Sequence, residues 1–167
     1  MKSFLKFFLL LIVIVLVGVQ FIPKAAKNQS TKMETMAIDQ VHQVPPSTIS
    51  LLKNSCYDCH SNNTHYPWYA NIQPVAWWLN DHIEEGKGEL NFSEFGSYSL
   101  RRQYHKLEEI KEQIEEDEMP LESYTIIHQN AVLSDTDKQE INNWASNLMD
   151  SFQHVYPADS IHRKKTK

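Results

Sequence analysis

Cys56-Tyr57-Asp58-Cys59-His60 is the stretch that decides how this chain folds, because it has the spacing for covalent attachment of a c-type haem. Two thiols three residues apart on a helical turn can each add across one haem vinyl group. The histidine directly after the second thiol is then held under the iron and offers a ring nitrogen as proximal ligand. The chain has only two cysteines, and both lie inside the pattern. Half a zinc site or a redox dithiol are the competing readings. A structural zinc site asks for a second Cys/His pair at motif spacing. A thioredoxin-like dithiol asks for a βαβ setting, and the sequence offers no convincing strand. The expectation is one covalent haem c on Cys56 and Cys59, with His60 on the iron.

The chain around this motif divides into four parts. Residues 1–23 form a membrane anchor: residues 4–22 are apolar apart from Lys6, Gly18 and Gln20, with Lys2 at the start. A helix of about 19 residues is about 28 Å long, enough to cross the hydrocarbon core and contact membrane lipid. A cleaved signal peptide is the alternative, but Gln20-Phe21-Ile22-Pro23-Lys24-Ala25-Ala26 lacks a good small-x-small cleavage site. Lys24 and Lys27 balance Lys2 and Lys6, so lysine counting leaves orientation open. Haem c is attached outside the bacterial cytoplasmic membrane. The expected location is therefore single-pass in that membrane, with the soluble part facing the periplasm or its equivalent.

Residues 24–44 are mostly polar without a sustained helical period and read as a tether. Residues 45–149 are the haem domain, roughly 105 residues and a normal size for one small core. Residues 150–167 read as a polar, basic tail ending His162-Arg163-Lys164-Lys165-Thr166-Lys167. The net charge of −5, with no basic-aromatic stripe, argues against a nucleic-acid partner. A single attachment motif and no internal repeat exclude a multihaem wire.

Within the domain the periodicity is helical. Pro45-Pro46 stops the tether, and Ser47 or Thr48 can cap a helix carrying Ile49, Leu52, Cys56 and Cys59 on one face. Residues 61–69 form a loop whose aromatics are expected to pack in the core or against the haem edge. A second helix spans residues 73–85 and stops at Gly86 or Gly88. Residues 91–97 connect it to a third, over residues 98–116, with Leu100, Tyr104, Leu107, Ile110 and Ile114 on one face. In the last helix Ser134 caps with Asp137 three residues on, and Ile141, Trp144, Ala145 and Leu148 form the apolar stripe.

The break at Asp117-Glu118-Met119-Pro120 is the second informative site. A low-spin haem needs a sixth ligand, and a thioether is a common one that raises the potential. Proline after Met119 stops the helix and can fix the sulfur over a flat surface. The ordinary reading of such a methionine is a flexible core plug. His82, near Trp78, is the runner-up distal ligand. His128 reads as a support for the loop and His105 as exposed. His65 stands too near the proximal side, and His42, His154 and His162 lie outside the expected core.

The order of Cys56, Cys59 and His60, then Met119-Pro120, then Leu133-Ser134-Asp135 and Trp144, resembles class I cytochromes c. More closely, residues 54–144 resemble a small bacterial haem-binding domain family. The shared pieces are Cys56 to Asn62, Tyr66 to Tyr69, Trp77 to His82, Leu90 to Ser93 and Met119 to Leu121. The resemblance implies an all-α, cytochrome c-like domain around one haem. His82 matches a histidine of the closer family, which keeps the distal ligand open between it and Met119. The favoured function is single-electron transfer with redox partner proteins, not enzymatic catalysis. The alternative is a haem sensor or peroxidase-like enzyme with an open distal position.

Overall fold

A computed structural model describes residues 2–162. Among them the chain is all-α: nine α-helices joined by short 3-10 turns, with no strand and one isolated antiparallel bridge between Gln29 and Asn63. Helix α1 (Lys2–Gly18) continues as a 3-10 turn through Phe21 and is apolar on every side. None of it is buried, and its mean hydropathy of 2.7 suits a membrane crossing. Of the expected basic tail, residues 163–167 lie outside the described residues.

The domain that carries the Cys56–His60 motif is assembled from α3 (Pro46–Ser55), α4 (Tyr57–His60), α5 (Val75–Glu89), α6 (Leu100–Glu115) and α8 (Asp135–Val155). Their lengths follow from local chemistry. Pro46 occupies the first position of α3, where a missing N–H costs nothing. Ser47 and Thr48 do not cap it; Thr48 is buried and its hydroxyl donates to Glu140 Oε1 on α8 at 2.9 Å. The Ser99 side chain caps α6 by accepting from Arg102 N–H. Ser134 and Asp137 form a full capping box at the start of α8, as the sequence pattern expects.

Helices α6 and α8 pack along each other, and the core lies between them and α3. Ile110 and Ile114 from α6 meet Ile141, Trp144 and Ala145 from α8, with Leu52 from α3 and Leu133 from the loop before α8. The centre, however, comes from the connector. Phe92 and Phe95 on the 3-10 turn Phe92–Ser97 are essentially fully buried. Burying a phenylalanine that completely contributes about 1.5–3 kcal/mol, so this turn is an organising element of the core.

Two segment boundaries differ from the sequence expectation. The tether over residues 24–44 is not a free spacer. Asn28 to Ser30 brace the loop after His60: Asn28 Nδ2 donates to Ser61 O and Thr64 Oγ1, both at 2.9 Å, and Ser30 N donates to Asn62 O. Helix α2 (Ile38–Val41) then inserts Ile38 fully into the core beside Phe95, because one apolar side chain suffices to dock a polar strand of chain. The polar tail expected from residue 150 is also partly folded. Helix α8 runs on to Val155, burying Phe152, and α9 (Ala158–Ile161) returns Ile161 against Tyr104 and Phe152. His42 and His162 are drawn in with these segments. His42 bonds Gln103 at 2.8 Å between the rings of Phe95 and Phe152, and His162 packs edge-on to Tyr104.

Candidate cofactor site

Helix α3 ends where Cys56 leaves helical geometry (φ −127°, ψ −40°), and α4 restarts at Tyr57. The expected single face is thus broken, yet both thiols still open into one cavity of about 580 Å³. This is within the range of about 300–1,000 Å³ that holds small-molecule cofactors. Its walls come from α4, the C-terminal half of α5, the inner face of α6 and the loop that follows it. Leu90, Phe92, Ile110, Ile114 and Leu121 give it apolar surface; Cys56, Cys59, His60, His82 and Met119 supply sulfur and nitrogen donors.

The two cysteines carry free thiols. Burial disfavours their thiolates: Cys56 is pushed up to about 12, with Cys59 adding to the effect, and Cys59 to about 11, with Asp58 adding. A redox dithiol works with the opposite, a depressed thiol. A neutral sulfur, as in a thioether, suits these surroundings.

His60 is positioned by the chain on its far side. Its Nδ1 donates to the Leu90 carbonyl at 3.1 Å, which fixes the tautomer and leaves Nε2 with its lone pair. Burial is the larger influence on the ring and moves its pKa below the ordinary histidine value, the Leu90 bond opposing. The imidazole is therefore neutral, the form that binds a metal. Its Phe92 neighbour stands nearly edge-on, at 6.5 Å and 74°.

Met119 follows α6 in a loop pinned by Met119 N–H and Glu118 N–H, both donating to the Gln113 carbonyl. It lines the same cavity as His60 but from another wall. His82 also reaches the cavity. It is half-buried, tilted over Trp78 at 4.3 Å, with Nδ1 bonded to the Trp78 carbonyl at 2.9 Å. Met119 and His82 are thus both brought to the site. His128 is not: it stacks on Tyr124 at 4.2 Å and bonds Tyr69 Oη at 2.6 Å, a brace for the loop as expected. His105 is exposed beside Glu108 and Glu109. His65 and His154 are exposed and do not line the cavity.

Three contributors were not expected from the sequence. Gly86 lies mid-helix in α5, which runs through both glycines to Glu89, and a Cβ there would stand 3.0 Å from the Cys59 carbonyl oxygen. In the sequence this glycine marks a helix stop; in the structure the helix continues past it. Tyr124 donates to Asp58 Oδ2 at 2.7 Å, joining the loop after Met119 to α4. Lys106, with its side chain 9 % exposed, is the one Lys or Arg on the described wall and pairs with Glu89 and Glu109.

Soft sulfur donors, the neutral His60 imidazole and a mostly apolar cavity fit a haem and its iron. No curated protein and no solved structure shows a significant match to the chain. The model of a family described as a haem-binding domain does match, over residues 14–147. That stretch takes in every wall of the cavity and also the docked segment at residues 28–41. The lining chemistry and the match agree on one conclusion, that this chain belongs to the haem-binding domain family.

Proposed function

We propose that the chain carries one haem c, attached by thioethers at Cys56 and Cys59, and passes single electrons at the outer face of the cytoplasmic membrane. One observation carries this reading: both free thiols, the His60 ring and the Met119 sulfur open into a single apolar cavity. In attachment, each S–H adds across a vinyl C=C, the sulfur bonding one carbon and the hydrogen going to the other. No oxidant is needed. His60 Nε2 would be the proximal ligand, its tautomer held by the Leu90 carbonyl. Met119 would be the distal one, kept in reach by the Gln113 carbonyl bonds. The bound haem would supply the ferric/ferrous couple, and a thioether ligand favours the ferrous side.

Helix α1 supports the location, being long and apolar enough to cross a membrane. Held by apolar burial and not by charge, the protein should stay with membranes in high salt and leave with detergent. The deciding experiment is expression with a cytochrome c maturation system, followed by acid–acetone extraction and mass measurement. One haem mass should remain on the polypeptide. Fully extractable haem in an exported protein overturns covalent attachment. His82 on the cavity wall favours one second reading, a sensor or peroxidase-like site whose sixth position is open or only weakly held.

A further inference from the structure

Outside α1, several large apolar side chains of the domain are exposed. Trp68 is 76 % exposed, Trp78 44 %, Ile126 67 % and Ile127 60 %. Trp68, Trp78 and Ile127 share a second cleft of about 240 Å³, and Cys59 forms part of its floor. No Asp, Glu, Lys or Arg is among the described residues lining it. An apolar cleft rimmed by exposed tryptophans is a surface that a partner or a membrane can cover.

The same region is fastened to the end of α1. The Gln20 side chain exchanges two hydrogen bonds with the Gln73 backbone: Nε2 donates to O at 2.8 Å and Oε1 accepts from N at 3.0 Å. Lys24 Nζ donates to the Asn71 carbonyl at 2.5 Å. Asn71 closes the short 3-10 turn Trp68–Asn71, and Ile72, also exposed, follows it. A spanning α1 is about as long as the hydrocarbon core is thick, which puts Gln20 to Lys24 at the headgroups. Whatever they bond directly stands at that same depth.

We infer that this aromatic face rests in the headgroup layer of the membrane that α1 crosses, so that the Cys59 side of the haem cavity turns toward lipid. The inference rests on α1 being the spanning segment. Tryptophan is favoured at this depth, where its ring is half in hydrocarbon and its N–H meets water. Lys24 and Lys27 add two cations beside anionic headgroups. The occupant of the cleft is then the lipid surface itself, and electrons enter or leave that side from partners within or along the membrane.

The test uses the full-length, haem-loaded protein in phosphatidylcholine–phosphatidylglycerol vesicles with no other protein. Ile72→Cys, Ile127→Cys, Glu108→Cys and Val13→Cys are each labelled with a nitroxide, and collisions with oxygen (lipid-soluble) and a nickel chelate (water-soluble) are compared. Labels at 72 and 127 should show an oxygen-to-nickel ratio several-fold above that at 108, with 13 highest of all. A label at 127 as open to nickel as the one at 108, while 13 stays in lipid, overturns the inference and leaves a soluble partner to cover the face. A water-exposed label at 13 overturns the anchor and the inference together. Label uptake by the wild type would show unattached cysteines; the same labels in a Cys56→Ser/Cys59→Ser background then give the same depth comparison.

Discussion

Gly86 packs so closely on Cys59 that an added Cβ would stand 3.0 Å from the Cys59 carbonyl oxygen and 3.1 Å from its Cβ. Two helices, α5 and α4, meet there with no side chain from α5 between them. Backbone cannot swing aside as a flexible side-chain end can. Gly86→Val should therefore push α4 away from α5 and shift Cys59 and His60 relative to the cavity. The expected result is a several-fold loss of covalent haem per polypeptide, read from the pyridine haemochrome spectrum. Gly88, two residues on in the same helix, has nothing within 4 Å of such a Cβ. Gly88→Ala should attach haem normally and raise stability by about 0.5–1 kcal/mol, since alanine costs less helix entropy. Equal haem content in both variants would show that the close contact does not matter.

This contact also shows what was legible in the sequence. That Cys56, Cys59 and His60 belong to one site could be read because they are neighbours in the chain, and all three line one cavity. Helix α8 was legible for a similar reason, since Ser134, Asp137 and the stripe from Ile141 to Leu148 each act within a few residues. Gly86 was not, because a close approach depends on what lies opposite and not on its neighbours. Phe92 and Phe95 sit in six residues of 3-10 turn, too short for any period to reveal a core element. Ile38 was hidden in a polar stretch, and Phe152 and Ile161 beyond the last clear stripe. Single anchors of this kind gain their energy from distant partners, on which local pattern is silent.

Ile38 gives that argument a number. It is fully buried on a four-residue helix, while Met33, five positions earlier, is 87 % exposed. Ile38→Ala removes buried methyl groups from a packed core and should cost about 2–5 kcal/mol. Met33→Ala should change stability by less than about 0.5 kcal/mol. Guanidinium unfolding followed by far-ultraviolet ellipticity compares the two. If both substitutions are silent, residues 24–44 are a tether after all.

The start of α8 should give the protein an acid-sensitive element. The Asp137 carboxyl is held below the ordinary aspartate value, chiefly by the hydrogen bond from Ser134 Oγ and next by that from Ser134 N–H. A depressed folded pKa means that its stabilisation is complete above the unfolded value near 3.8 and is lost as pH falls through the folded one. Asp137→Asn should flatten the decline in melting temperature below about pH 4 and lower the plateau at neutral pH. Ser134→Ala, which leaves the Asp137 N–H without its cap, should cost roughly 1 kcal/mol at neutral pH. An unchanged acid limb in Asp137→Asn would remove the capping box from the account.

Met119 and His82 share the cavity wall, and substituting each in turn separates carrier from catalyst. With Met119 on the iron, both oxidation states should be low-spin. Carbon monoxide and cyanide should then bind slowly, because the thioether has to leave first. Met119→Ala should open the position, turn the haem high-spin and lower the reduction potential with loss of the sulfur. Met119→His should keep the low-spin spectrum and still lower the potential. His82→Ala should do neither, because with the Met119 sulfur on the iron His82 is not a ligand. If His82→Ala is instead the variant that turns high-spin, the ligand assignment reverses while the carrier reading survives. A five-coordinate ferrous wild type that takes up carbon monoxide at once would move the protein to the sensor or peroxidase class.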